Sequence, residues 1–209
     1  MAPGHSPAVV SITGDYAQGA DATLEIEVTG TSVGEAGYDQ LSVSGTAALD
    51  GTLDIQTDAS FTPSVGATAG VIGDLFVIVS AGSVTGTFAA INGRHVGDGK
   101  FYLPQYHATR VTLGAFQAAP GDTDGDMDVD LSDYNSLTTN FDPIGTYGPY
   151  LWGDGNSDGD NDVDLADYNA LASNFSPAGY GAAAVPEPSS LVLFIGGILA
   201  VAGAGGWRY

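Results

Sequence analysis

Two stretches of the chain repeat the same spacing of oxygen-bearing side chains. DTDGDMDVDLSDYNSLTTNF at 122–141 aligns without gaps on NSDGDNDVDLADYNALASNF at 156–175, an offset of 34 residues. In a tightly curled loop of about twelve residues, oxygens at positions 1, 3, 5, 7, 9 and 12 surround one cation. Ca²⁺ takes about six to eight oxygen ligands, whereas Mg²⁺ prefers octahedral geometry and keeps its waters. The spacing therefore predicts two calcium sites.

The predicted ligands fall at equivalent positions of the two loops. Position 7 is expected to contribute its backbone carbonyl and position 9 to act through water. Position 6, which favours glycine, is Met127 in one loop and Asn161 in the other. Because methionine adopts a left-handed backbone poorly, the first site is expected to be the weaker one. The ligand set is Asp122, Asp124, Asp126, Asp128, Asp130 and Asp133 in the first loop, and Asn156, Asp158, Asp160, Asp162, Asp164 and Asp167 in the second.

The composition of the chain is consistent with cation binding and excludes a nucleic-acid partner. The 209 residues include 25 acidic and four basic residues, a formal charge of −21, whereas phosphate binding needs clustered Lys and Arg. Thirteen of the carboxylates fall between Asp122 and Asp167, where a cation would relieve their repulsion. With no cysteine, the chain has neither disulfides nor a thiolate site.

No catalytic arrangement stands out, and the sequence predicts a protein without enzymatic activity. A glycosidase needs two acids across a sugar cleft, but the dense acids here are committed to the loops. The three histidines, His5, His95 and His107, have no HExxH or triad-like neighbours. Three aromatic residues are candidates either for sugar stacking or for packing at strand ends: Tyr102, Tyr106 and Trp152.

Residues 1–117 have the alternation of β-strands. In the segment 22–28, Leu24, Ile26 and Val28 point to one side and the two glutamates between them to the other. The apolar run Val71–Val79 predicts a strand buried on both faces. The stretches YDQLSVSGTAALDGTLDI at 38–55 and FTPSVGATAGVIGDLFVIVSAGSVTGTFAAING at 61–93 resemble the closing rungs of autotransporter-like passengers. That resemblance implies the end and cap of a β-solenoid, with a β-sandwich as the alternative.

Each Asp-rich loop precedes a short amphipathic helix. The apolar faces, Tyr134, Leu137 and Phe141 in one helix and Tyr168, Leu171 and Phe175 in the other, are expected to bury against each other. Val129 and Val163, at position 8, are expected to point into this small core and pair the loops. The duplicated module resembles a type I dockerin, which implies a cohesin-like partner. Positions 10 and 11, Leu131-Ser132 and Leu165-Ala166, lack the hydroxyl pair of that family.

The C-terminal segment combines a short proline motif with an apolar run. Val185-Pro-Glu-Pro188 precedes an apolar run from Leu191 to Gly206 and then Trp207-Arg208-Tyr209. This arrangement resembles the PEP-CTERM sorting signal. About 16 residues at ~1.5 Å each give a helix of ~24 Å, slightly short of a typical ~30 Å membrane core, and a buried core helix is the alternative. The resemblance implies export, transient anchoring in the inner membrane, processing by an exosortase-type enzyme, and a final place at the cell surface or outside it. Residues 1–7 show no secretory signal, so either the gene start is misplaced or the chain is the end of a longer protein. We expect the second, because the β region also begins in mid-architecture.

The sequence thus predicts a mainly β fold, a small α calcium-loop module and a C-terminal transmembrane helix. The expected divisions are a β-rich domain at 1–117, a dockerin-like module at 118–180 and a sorting tail at 181–209. The expected function is that of an exported, non-enzymatic protein with a structural, adhesive or docking role, bound to a cohesin-like protein or a surface polysaccharide. The alternative is the C-terminal docking and anchoring part of a secreted polysaccharide-degrading enzyme.

Overall fold

The structure, a computed structural model, describes residues 7–35 and 37–180. Within these residues the protein is mainly β, followed by two short helices, which confirms the predicted fold class at this level. The strands form one sheet of seven strands and one of five. The strands are β1 (Val9–Ile12), β2 (Tyr16–Ala17), β3 (Thr23–Val28), β4 (Ser32–Val33), β5 (Gly37–Tyr38), β6 (Gln40–Leu49), β7 (Thr52–Thr57), β8 (Leu75–Gly86), β9 (Ala90–Asn92), β10 (His95–Gly97), β11 (Lys100–His107) and β12 (Arg110–Gln117).

The chain passes three times between the two sheets and adds a parallel strand to each at every pass. In the larger sheet β1, β6 and β8 lie side by side in parallel, and in the smaller sheet β3, β7 and β9 do so. Successive passes place aliphatic residues in register, so that Leu24 lies beside Leu53 and Leu53 beside Ile91. Leu24, Ile26 and Val28 are fully buried, as their alternation predicts. The main core therefore forms between the inner faces of the two sheets.

One side of the larger sheet is completed by antiparallel strands. Strand β12 pairs antiparallel with β8, β11 follows it, and β10 forms the edge. Tyr102 on β11 is fully buried and meets the ring of Phe76 edge to face, with ring centroids 5.7 Å apart. Sugar stacking is therefore wrong for Tyr102. Tyr106 is partly buried, packs against the same core and accepts a hydrogen bond from the amide of Phe88 at 3.2 Å.

The strand predicted at Val71–Val79 begins only at Leu75. Val71 is 49% exposed and its carbonyl accepts a hydrogen bond from the amide of Gly66, so the chain folds back there. Gly70 has φ of +76°, a left-handed conformation that ends an extended run. An apolar run interrupted by glycines thus forms a turn followed by a strand.

The module after the sheets contains helix α1 (Leu131–Thr139), a short 3-10 helix (Trp152–Asp154) and helix α2 (Leu165–Asn174). Its own small core consists of Ala119, Val129, Leu137, Val163 and Leu171. Within residues 7–35 and 37–180, no helix is long and apolar enough to cross a membrane. The predicted sorting tail at 181–209 lies outside the described residues.

Candidate metal centre

The two Asp-rich loops end in the same helix cap. Asp130 and Asp164 are the N-caps of α1 and α2, and each accepts a hydrogen bond from the amide two residues on. The position-12 acids complete the capping boxes, because Asp133 accepts from the amide of Asp130 at 2.8 Å and Asp167 from that of Asp164 at 2.9 Å. Such a box satisfies amides that a helix start leaves without partners. The same residues therefore fix the helix starts and orient the acids of the loops.

The crest of each loop adopts the conformation that position 6 requires. Met127 has φ of +74° and Asn161 has φ of +83°. Methionine in this region is strained, but the Met127 side chain packs against a cluster formed by Phe101, Phe116 and Ala118 of the β region. Burial of that side chain offsets part of the strain. The turn is thus formed in both loops, although only one has a residue that tolerates it well.

The loops bring their acidic side chains together in trios. In each trio, one carboxylate oxygen of every member lies within 4.8 Å of the others. At the positions of the second loop that correspond to the first acidic trio, the sequence has the amide Asn156 followed by Asp158 and Asp160. The acidic trios are Asp122, Asp124 and Asp126; Asp128, Asp130 and Asp133; and Asp162, Asp164 and Asp167. Among the described residues, these clusters can hold metal ions.

Position 7 carries a feature that sequence reasoning missed. Oδ1 of Asp128 and Oδ1 of Asp162 are buried and have no hydrogen-bond partner, at the same place in both loops. The sequence assigned these residues a backbone carbonyl ligand, but their carboxylates belong to the acidic trios. A buried carboxylate oxygen without a partner is costly, and a cation would satisfy it. The donor set therefore fits a metal ion, and the only sequence signal for it is that both position-7 residues are acids.

The electrostatics of the loops disfavour ionised carboxylates in the absence of a cation. Burial raises the pKa of Asp122 to about 6, and the charges of Asp133 and Asp124 act in the same direction. Burial, followed by neighbouring carboxylates, also raises the pKa of Asp128 and of Asp162. The pKa values of Asp124 and Asp158 are raised with burial again as the largest cause. A divalent cation in each loop would remove this penalty.

The two repeats interlock instead of pairing loop to loop. Val129 and Val163 are fully buried in one core, as predicted, but each pairs its backbone with the chain that leaves the helix of the other repeat. Val129 pairs with Ser176, and Val163 pairs with Asp142. These two pairs are related by the 34-residue offset of the duplication. Neither loop is therefore complete without the other repeat.

The prediction that the apolar helix faces bury against each other is correct only in part. Leu137 and Leu171 are buried, but the aromatic residues on both sides stay exposed. Tyr134 and Tyr168 meet edge to face between the two helices, with ring centroids 6.5 Å apart, but remain 39% and 41% exposed. The result is a groove of about 430 Å³ between the helices. It is lined by Leu131, Tyr134, Tyr168, Leu171, Ala172 and Phe175.

Comparison with known proteins yields no relative from which a function is transferred. No family model matches the chain, and neither a curated protein nor a solved structure matches it.

Proposed function

We propose that this chain is part of an exported, non-enzymatic surface protein that binds one calcium ion in each Asp-rich loop. The observation that carries the proposal is the repeated buried oxygen at Asp128 and Asp162, each beside two further acids of its loop. Two loops with the same ligand spacing, the same helix cap and the same left-handed crest are hard to explain as a solvated acidic linker.

Calcium is the metal that suits these loops best. The ligands are all oxygens, the potential donors exceed the six of an octahedral shell, and both loops are curled around them. Outside a cell, calcium near ~1 mM fills even modest sites. An ion bound only by the folded protein stabilises it by about 2.7 kcal/mol when its concentration is ~100 times Kd. The role of the metal is therefore structural.

A matched pair of variants tests the assignment of the position-7 carboxylates. Asp128→Ala and Asp162→Ala remove the buried oxygens without a partner and keep the backbone carbonyls. The expected result is a more stable metal-free protein, because a buried unsatisfied oxygen is lost, together with weaker calcium binding in the altered loop. Calorimetric titration with CaCl₂ and with MgCl₂ measures both metals. Unchanged calcium affinity in both variants would show that the backbone carbonyls, and not the carboxylates, are the position-7 ligands. Absence of calcium binding by the parent protein would refute the proposed function.

The β region fits the end of a β-solenoid better than a β-sandwich. Three passes that add parallel strands to two sheets are the way in which solenoid rungs stack, whereas sandwiches are built from antiparallel strands. The antiparallel strands β12, β11 and β10 fit a cap on the last rung. The proposed role of this region is that of a rigid scaffold for the calcium module.

The exposed groove between the helices favours docking of a protein partner. Leu131 and Phe175, which line the groove, are 66% and 49% exposed. Exposed apolar patches of this kind occur at interaction sites. We propose a cohesin-like partner or a surface polysaccharide. Testing whether the immobilised full chain retains each of them in the presence of calcium distinguishes the two. Loss of retention in Leu131→Glu and Phe175→Glu would support the groove as the docking surface, and unaltered retention would place the partner elsewhere.

Export and sorting are proposed from the sequence of 181–209 alone. Val185-Pro-Glu-Pro188 followed by the apolar run is the basis for an exosortase-type partner and for anchoring in the inner membrane before release. Replacing Pro186, Glu187 and Pro188 with alanine in a host with such an enzyme is expected to leave the protein membrane-bound and unprocessed. Processing that continues would reject the sorting assignment. A catalytic domain upstream in the gene would favour the enzyme-appendage alternative instead.

A further inference from the structure

The two loops are alike in sequence but lie in different surroundings. Gly125, at position 4 of the first loop, is buried, and a Cβ there would overlap the ring of Phe101 on β11. Gly159, at position 4 of the second loop, is exposed, and a Cβ there would meet nothing within 4 Å. The guanidinium of Arg94 also donates a hydrogen bond to the carbonyl of Gly125. The first loop is therefore held against the β region and the second is not.

Tyr180 closes the first loop from the other side. Its hydroxyl donates to Oδ2 of Asp122 at 2.5 Å and accepts from the amide of Ala119 at 3.3 Å. Its amide donates to the carbonyl of Met127 at 3.1 Å. The side chain thus reaches the position-1 ligand while the backbone holds the crest of the same loop.

The second loop has no counterpart of this phenol among the described residues. Asn156, which replaces Asp122 there, accepts a hydrogen bond from the amide of Gly159 through Oδ1 and donates one to the carbonyl of Tyr150 through Nδ2. The residue 34 positions before Tyr180 is Thr146. The contact is therefore a property of the first loop alone.

We propose that Tyr180 is a positioning residue of the first calcium site, and that calcium there and the anchoring of the chain at Tyr180 stabilise each other. This inference rests on the proposed calcium function. A phenol that donates to one carboxylate oxygen of Asp122 fixes the rotamer of that ligand, as outer-shell partners do at metal sites. Linkage requires the effect to be reciprocal, so a bound ion holds Tyr180 as strongly as Tyr180 holds the ion.

The consequence concerns the chain that follows. Tyr180 lies five residues before Val185, which opens the Pro-Glu-Pro motif. Calcium in the first loop is therefore expected to hold Tyr180, the last described residue before that motif, against the folded module. Calcium in the second loop is not expected to have this effect, because the hydrogen bonds of Tyr180 within the described residues go to the first loop and to Ala119.

Chymotryptic cleavage of the Tyr180–Gly181 bond in the full chain, held in detergent, tests this linkage. The bond after Phe76, which is fully buried in the main core, serves as the internal reference for general unfolding. Calcium is expected to slow cleavage after Tyr180 by at least about fivefold relative to that reference. Asp126→Ala, at position 5 of the first loop, is expected to abolish this protection, and the matched Asp160→Ala to preserve it. Equal protection in both variants, or none in the parent, would overturn the inference.

Removal of the hydroxyl tests the reciprocal effect. Tyr180→Phe in the Asp160→Ala background is expected to weaken calcium binding at the first loop by roughly fivefold or more. In the Asp126→Ala background it is expected to leave the second loop unchanged. Tyr150→Phe, whose hydroxyl contacts Asp142 at 3.3 Å instead of a loop ligand, is the control. Unchanged affinity at the first loop would reject the positioning role while leaving the proposed function intact, whereas no calcium binding in either background would reject both.

Discussion

A methyl group added at one position of each loop should cost very different amounts of stability. Gly125→Ala and Gly159→Ala alter equivalent residues, 34 positions apart, with φ of +70° and +80°. Both place alanine in a left-handed conformation, which costs about 1–2 kcal/mol. The comparison cancels this shared cost and leaves the difference in surroundings.

The difference comes from the ring of Phe101, which is 3% exposed. At Gly125 the new methyl group overlaps that ring, and overpacking of a buried site costs about a further 1–3 kcal/mol. We therefore expect Gly125→Ala to lower the free energy of unfolding by about 2–5 kcal/mol and Gly159→Ala by about 1–2 kcal/mol. The first value measures how firmly the loop is packed on the β region.

Urea unfolding of the full chain in excess calcium provides the assay. The fluorescence of Trp152 reports on the packing of the first loop against the β region, because its indole donates to the carbonyl of Asp122 at 2.6 Å and packs against the cluster that contains Phe101. A Trp207→Phe background removes the other tryptophan of the chain. Equal losses for the two variants would refute the packing of the first loop against Phe101, and a larger loss for Gly159→Ala would reverse the proposed asymmetry.

Three further predictions concern the module. Leu171→Ala is expected to lower the free energy of unfolding in urea by about 2–5 kcal/mol, because the side chain fills the core shared by both repeats. Leu165→Ala, at an exposed position, should change it little. Similar losses of stability in the two variants would contradict the shared core. Asp164→Ala should lower the stability of the metal-free protein by about 1 kcal/mol through loss of the helix cap, and no loss would argue against the capping box. In chelator, the stability of Asp122→Asn relative to the parent should rise by on the order of 3 kcal/mol between pH 4 and pH 7. The pKa of Asp122 is raised to about 6 in the folded parent, so over this range the folded parent keeps a proton that the unfolded chain releases. The parent therefore loses stability as the pH rises, and the asparagine variant does not. The groups that face the Asp122 carboxylate are Tyr180, Asp124 and Asp133. If the stability of the variant minus that of the parent stays constant or falls from pH 4 to pH 7, the buried environment of Asp122 is contradicted.

The strands and loops that sequence predicts well are those with a strict local period. Alternation marked Leu24, Ile26 and Val28 as core residues, and all three are fully buried. The repeated Asp spacing gave the positions of the loops and of the helices after them, because the residues that cap a helix also form the loop. Local chemistry determines both features, so no tertiary information is needed for them.

Features that depend on distant residues escaped prediction. The contact between Tyr180 and Asp122 joins residues 58 positions apart, and Arg94 reaches a loop 31 positions away. The resemblance to a β-solenoid implied stacked strands, but their register depends on the lengths of the connecting turns and not on any one strand. The apolar helix faces misled because a 3.6-residue period shows that a face is apolar, not that a neighbour covers it.

The calcium stoichiometry of the full chain tests the central claim most directly. Isothermal titration of chelator-treated protein with CaCl₂, repeated on Asp126→Ala, Asp160→Ala and the double variant, assigns each binding event to a loop. The account predicts two ions per parent chain, one for each single variant and none for the double variant. Fewer than two ions in the parent, or binding that survives in the double variant, would contradict it.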